Sequence, residues 1–271
     1  MPRLDKVMSR RYKDPFASPA KPPTIPPMSE TPSASPHRES GLLLYSGNAR
    51  RDFFDGAVCG ARNLGFDYCG YLIGVPVSAT EWRFVMTSNF PRAWQRRYLR
   101  RGYHAIDPTV EYAKTGIEPM TWSRELFATE ALHDLSRDAG AIGFNHGWTQ
   151  PLHDSRGRFG MLTLARGDVA IGAAELHAKL PMMQWLAQVV HDRLFAEFMA
   201  WQRNETIGRL TERELACLRL AADGGTAGEI SAATGIAERT VNFHMANAID
   251  KLGATNKTHA VALALRLGVL A

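Results

Sequence analysis

Between Glu238 and Gly253 the apolar residues Val241, Met245, Ala248, Ile249 and Leu252 recur at spacings of three, four and seven. That spacing lays one apolar stripe along a helix. The opposite face carries Arg239, Asn242, Phe243, Ala246 and Asn247: one base, short polar side chains and an outward aromatic. Upstream, residues 226–234 predict a shorter helix, with Gly235-Ile236-Ala237 turning between the two. Thr226 with Glu229, and Thr211 with Glu214, fit capping boxes, in which the hydroxyl takes the third amide and the carboxylate returns to the first. Gly224-Gly225 stops the preceding helix, because glycine adopts the left-handed C-cap conformation at little cost. Helix, glycine, capped short helix, turn and second helix make a helix-turn-helix, whose second helix commonly reads the major groove. The pattern alone equally fits a helical bundle that binds no nucleic acid.

The middle of the chain alternates between periods. Residues 48–64 carry Phe53, Phe54, Ala57, Val58, Ala61 and Leu64 on one helical face, and Gly65 ends it. Tyr68 to Val75 and Trp82 to Ser88 read as strands, as do Gly147 to His153 and Phe159 to Ala165, the last two joined by a turn at 154–158. Pro91 opens a helix to Arg101, and Asp107-Pro108 opens another with Asp as N-cap and Pro first. Residues 125–140 predict one helix with Leu126, Phe127, Leu132 and Leu135 inward. Ala173 to Ala200 predicts a long helix, with apolar residues at 176, 180, 183, 187, 190, 194 and 198. Such alternating steps resemble a coiled-coil seam. The seam fits either a second subunit or the domain's own sheet. Met182, Trp185 and Phe195 lie off it, which favours one face inward and one toward a second copy. The fold class expected is α+β. An N-terminal α/β/α sandwich sensor domain with an antiparallel sheet spans 41–201, and a polar linker spans 202–209. An all-α, four-helix helix-turn-helix domain spans 210–271.

Residues 1–40 hold nine of the fifteen prolines and seven Lys/Arg against four Asp/Glu. Few large apolar groups accompany them, so a disordered basic tail is expected. Met8 and Met28 are alternative starts. The whole chain carries a formal charge of +5, yet 210–271 hold six basic against six acidic residues. A neutral module gains little general phosphate attraction, so its affinity must come from a few placed groups and from doubling in a dimer. No apolar run is long enough for a membrane span, and no apolar stretch follows the basic N-terminus as in a secretory signal. Cys59, Cys69 and Cys217 show no metal-ligand spacing, which suits reduced thiols in the cytoplasm.

Leu210-Thr211-Glu212-Arg213-Glu214, Gly224, Glu229-Ile230, Thr240-Val241-Asn242-Phe243-His244 and Lys251-Leu252-Gly253 resemble the DNA-binding module of LuxR-type transcription regulators, without a gap over 210–269. The resemblance implies double-stranded DNA as partner, met by Arg239, Thr240, Asn242, Phe243, Ala246, Asn247, Lys251 and Lys257. Ala237 stands where the family often has a serine cap, and Gly225 where lysine is common. Phe90-Pro91-Arg92-Ala93-Trp94, Tyr98, Gly102-Tyr103, Asp107-Pro108-Thr109 and Trp122 resemble the autoinducer-binding domain of the quorum-sensing members. That resemblance implies an N-acyl homoserine lactone as ligand and no cofactor. It gives the ligand amide to Asp107, the lactone carbonyl to Trp94 and the acyl carbonyl to Thr163. Tyr98 and Trp122 become aromatic walls, and Thr109 steadies Asp107. Phe90 stands where several relatives carry tyrosine. A homodimer on a palindromic site is implied too, with RNA polymerase as a further partner if the protein activates.

Each residue also has a plainer use. Asp107 can simply cap its helix, the aromatics can be core, and Thr163 can face solvent between Leu162 and Leu164. An orphan regulator of the same fold, answering another apolar signal or none, is the second reading. An enzyme acting on lactones is the third: His146, His153 and Asp154 are its only hints, and their spacing fits no compact metal motif.

Overall fold

The computed structural model describes residues 42–44, 48–77, 81–167 and 169–270. The expected tail at 1–40 lies outside these residues. Strands β1 (Leu42–Leu44), β2 (Tyr68–Pro76), β3 (Trp82–Ser88), β4 (Met120–Ser123), β5 (His146–His153) and β6 (Phe159–Arg166) form one sheet in the order β1-β3-β2-β6-β5-β4. Neighbours are antiparallel except β1 and β3, which run parallel at one edge. β1 and β4 escape a pattern reading because three or four residues are too few to show alternation.

Both faces of the sheet are covered. Helices α1 (Asn48–Asn63) and α5 (Ala173–Arg209) pack one face, where Tyr71, Ile73, Trp148, Leu162 and Leu164 are buried. The shorter α2 (Arg92–Arg100), α3 (Pro108–Ala113) and α4 (His133–Gly140) flank the other, where Leu72, Met86, Met161 and Ala165 join Trp94, Tyr98, Tyr103 and Leu135. The single helix expected over 125–140 is instead two 3-10 turns, Arg124–Phe127 and Glu130–Leu132, followed by α4. Ser123 caps the first turn through its hydroxyl, and Phe127 and Leu135 still point inward as expected.

The long helix differs from expectation in two ways. First, its regular apolar series faces the domain's own sheet: Met183, Ala187, Val190, Leu194 and Phe198 are buried in the core, with Leu176 and Leu180 at its margin. The seam is therefore an internal contact and not a subunit interface. A sheet face needs the same one-sided stripe as a second helix does, so periodicity cannot separate the two. Off that series, Phe195 is buried too, whereas Met182 and Trp185 are 41% and 43% exposed. Second, the helix does not end at Ala200; α5 runs unbroken for 37 residues to Arg209, so the linker at 202–209 is helical. Thr206 bonds back to the Gln202 carbonyl, and the Gln202 side chain is buried.

The C-terminal helices are α6 (Glu212–Ala222), α7 (Ala227–Thr234), α8 (Glu238–Leu252) and α9 (Lys257–Arg266), around Leu218, Ile230, Val241, Met245, Ala248 and Ala260. Both capping boxes form, at Thr211 with Glu214 and at Thr226 with Glu229. Gly235 and Gly253 take φ of 70° and 67° at the ends of α7 and α8, where only glycine is unstrained. The module meets the sensor domain through contacts that include two hydrogen bonds, and Leu267 packs against the sensor core. Arg158, in the β5–β6 turn, donates to the Arg266 carbonyl at the end of α9, 2.9 Å away. His259 Nε2 lies 3.0 Å from the Val77 carbonyl. Arg158 is itself buried, paired with Asp154 and lying 5.3 Å from the centre of the Phe195 ring.

The burial of Val190 gives a direct test. Val190→Asp should destabilise the sensor domain by more than about 4 kcal/mol, since an unpaired charge enters a dry core. Gln184→Asp on the exposed face of α5 should stay within about 0.5 kcal/mol of the parent. Urea unfolding followed by tryptophan fluorescence reads both; a Val190→Asp protein of parental stability would contradict the packing.

Candidate functional site: an apolar cavity and a reader helix

One cavity gathers all seven of the expected ligand residues. Phe90, Trp94, Tyr98, Asp107, Thr109, Trp122 and Thr163 all line it, together with Leu72, Met86, Phe127, Leu135, Ala139, Phe144 and Met161. Sheet alternation explains Thr163. Leu162 and Leu164 point to α1 and α5, so Thr163 points to the other face, which the cavity and its helices cover at this central strand. The second group, from Leu72 to Met161, was not legible in the sequence. These are ordinary core residues whose convergence depends on strands and helices far apart in the chain.

The polar groups are few and individually placed. Asp107 caps α3 as expected and also faces the cavity. Its Oδ1 accepts from the Thr109 amide at 2.9 Å and the Thr109 hydroxyl at 2.7 Å. Its Oδ2 accepts from the Tyr98 hydroxyl at 2.8 Å. Burial, reinforced by the Asp107 charge and hydrogen bond, pushes the Tyr98 hydroxyl well above its usual range, so it stays a donor. A carboxylate offers about four lone-pair sites, and three are used, which leaves one on Oδ2. The Trp94 indole N–H has no acceptor among the described residues. Its ring sits 5.7 Å from Tyr98 and 5.7 Å from Phe144. The Trp122 indole N–H, by contrast, is spent on Thr149 at 3.0 Å. Phe90 closes over Gly70, where a Cβ would come within 2.4 Å of its ring, and stacks edge-on with Phe144 at 4.7 Å. The cavity thus presents one acceptor, one indole donor and one hydroxyl in an apolar lining, the usual constitution of a small-molecule site.

The second helix of the helix-turn-helix, the one expected to read DNA, is α8. Arg239, Thr240, Asn242, Phe243 and Ala246 are exposed, Phe243 to 61%, and Asn247 is half-buried. The two lysines also have partners inside the module. Lys251 Nζ lies 2.7 and 2.8 Å from the buried carboxylate of Glu214 and ties α8 to α6. Lys257 Nζ donates to the Gly225 carbonyl at 2.7 Å. Both ammonium groups are engaged inside the module, a use that spacing along one chain could not reveal. Burial opposes ionisation of Glu214, but hydrogen bonds from Lys251 and Thr211 outweigh it and hold its pKa below the usual carboxylate range.

His146, His153 and Asp154 do not assemble into a centre. His153 faces the Ala113 carbonyl, Asp154 is held by Arg158, and no group of three or more His, Cys, Asp or Glu able to hold a metal occurs among the described residues. Nor is any helix among them long and apolar enough to cross a membrane.

A helix-turn-helix joined to a domain with a largely apolar small-molecule cavity defines a signal-responsive transcription regulator. Comparison with known proteins makes the class specific. Residues 50–194 match the autoinducer binding domain family, and 208–264 match the luxR family of bacterial regulatory proteins. The transcriptional activator protein AnoR of Acinetobacter nosocomialis is 39% identical over 210 residues, covering 78% of this chain and 88% of AnoR. Among solved structures, SdiA in complex with octanoyl-rac-glycerol aligns with a TM-score of 0.60 at 27% identity, covering 83% of this chain and 91% of that one. The N-acylhomoserine lactone-dependent LuxR-family transcription factor CepR2 from Burkholderia cenocepacia aligns at 0.50 and 26% identity, over 54% and 84%. The chain belongs to the LuxR-type quorum-sensing transcription regulators; it is a regulator and not an enzyme.

The Lys251–Glu214 pair can be tested apart from DNA. Lys251→Met should destabilise the module by about 1–3 kcal/mol, because a buried carboxylate loses its partner. The stabilisation from Glu214 is fully present above its unfolded pKa and fades as pH falls through the lower folded value. Thermal unfolding between pH 7 and pH 3 should therefore show the parent and Lys251→Met converging toward acid. A constant gap across that range would show that the pair does not govern the difference.

Proposed function

We propose that the cavity binds an N-acyl homoserine lactone and that the liganded protein binds a palindromic DNA site as a homodimer. One observation carries the ligand reading: around an apolar cavity, Asp107 keeps a spare acceptor site, Trp94 has an indole N–H without a protein acceptor, and Thr163 adds a hydroxyl. An acyl homoserine lactone carries the complementary set: an amide N–H for Asp107, a lactone carbonyl for Trp94 and an acyl carbonyl for Thr163. Tyr98 and Trp122 then wall the ligand, and the acyl chain lies against Met86, Leu135 and Met161. CepR2, named for its lactone dependence, supports this assignment. A second reading rests on Phe90, which offers no hydroxyl, and on SdiA, whose complex holds an octanoyl glycerol. In that reading the signal is another acyl compound.

DNA recognition falls to α8. Asn242 can pair with adenine through both amide atoms, and Ala246 or Phe243 can pack on a thymine methyl. Arg239 and Thr240 serve the backbone, with Asn247 at the edge of the contact. With Lys251 and Lys257 engaged inside the module, one copy has few phosphate contacts to offer, so tight binding needs two. The exposed side of α5 with Met182 and Trp185 replaces the buried seam as the surface for pairing. Where the regulator activates, RNA polymerase is the further partner.

Asp107→Asn should abolish the ligand response in a promoter-reporter assay while the module at 205–271 stays folded. Mass spectrometry of small molecules extracted from protein expressed with candidate lactones identifies the ligand; recovery of a non-lactone acyl compound alone selects the second reading. Asn242→Ala should weaken specific DNA binding by about 1–3 kcal/mol and relax one base position. Equal affinity for the operator and for an operator changed at that base, in the parent, would remove Asn242 from base readout.

A further inference from the structure

We propose that Thr149 is a positioning residue: it orients the Thr163 hydroxyl so that Thr163 donates into the cavity and requires an acceptor from the ligand. The inference rests on the acyl homoserine lactone reading and deepens it.

Thr149 is completely buried in the middle of β5, and its cross-strand neighbour in β6 is Thr163. Trp122, on β4, lies flat across β5 above Gly147, where a Cβ would stand 2.1 Å from the indole. The absent side chain lets the indole reach the next residue on the same face, so that Nε1 comes within 3.0 Å of Thr149 Oγ1. An indole N–H can only donate, so the Thr149 oxygen accepts. Thr149 Oγ1 lies 3.1 Å from Thr163 Oγ1, and distance alone allows either hydroxyl to be the donor.

Proton accounting decides the direction. If Thr163 donated, Thr149 would accept twice and its own proton would have no acceptor among the described residues. A buried polar hydrogen left that way is costly. If Thr149 donates, both fully buried donors find an acceptor in sequence: Trp122 N–H to Thr149, Thr149 O–H to Thr163. The Thr163 proton is then left over, and Thr163 lines the cavity. The cavity therefore has a set polarity, with Asp107 accepting at one place and Thr163 donating at another. A ligand oxygen opposite Thr163 is favoured, and an N–H there is opposed.

The test compares the full-length protein's affinity for the best-bound acyl homoserine lactone of a panel with that for its thioamide analogue. The thioamide keeps the N–H but replaces the acyl oxygen by sulfur, a poor acceptor. Wild type should prefer the amide by about three- to tenfold, the worth of one neutral hydrogen bond. Thr149→Val should shrink this preference to less than twofold, Thr149→Ser should restore it, and Thr163→Val should abolish it. A general packing defect would weaken both ligands alike and leave the ratio intact. If Thr149→Val does not fold, Thr149→Cys, whose thiol is a weak donor, should also reduce the ratio. A wild-type ratio in Thr149→Val, or in Thr149→Cys where the valine variant does not fold, overturns the orientation while the lactone reading stands. A wild-type protein that binds no lactone of the panel overturns both.

Discussion

A sheet covered by helices on both faces gives each strand residue one of two dry destinations, and here the two differ in chemistry. Tyr71, Ile73, Trp148, Leu162 and Leu164 go to the wall made by α1 and α5. Leu72, Met86, Met161 and Thr163 go to the cavity, with Thr149 bonded beside them. A slip of one residue in the β5–β6 register would turn one of the two strands over, sending Trp148 or Leu162 toward the cavity and Thr149 or Thr163 against the long helix. The core of α5 thus guards the register on which the binding groups depend.

Within the cavity the polar groups are economical because unsatisfied ones are expensive. Thr109 supplies two hydrogen bonds to one oxygen of Asp107, and Tyr98 supplies one to the other. The carboxylate is held rigidly and keeps acceptor capacity for a ligand. Asp107 acts as helix cap and cavity acceptor at once, so the two readings open to it from the sequence are not exclusive.

The same sheet also connects to the DNA module. The long helix that covers its far face continues without a break to Arg209, three residues before α6 begins. The β5–β6 turn, at the end of the strands that carry Thr149 and Thr163, places Arg158 against the final carbonyl of α9. A guanidinium there also suits the negative end of the helix dipole. Asp154 and the Phe195 ring hold that guanidinium, so this contact with the module is anchored in the sensor core.

The capping boxes, the glycines at 224, 235 and 253, the apolar stripe of α8 and the longer strands were legible because each is a local rule, satisfied within a few residues. The polar lining of the cavity was legible only through resemblance, since Asp107 and Trp94 look locally like a cap and a core aromatic. Tertiary structure decided what depends on a distant partner. The series through Val190 and Leu194 had the period of a subunit seam, and the sheet claimed it. Lys251 and Lys257 read as surface charges, and only the folded module sets them beside Glu214 and the Gly225 carbonyl. Thr149 gave no sign at all, for a threonine in a strand is unremarkable until an indole and a second hydroxyl are placed against it. Periodicity shows that a side chain will be buried; only the folded chain shows against what.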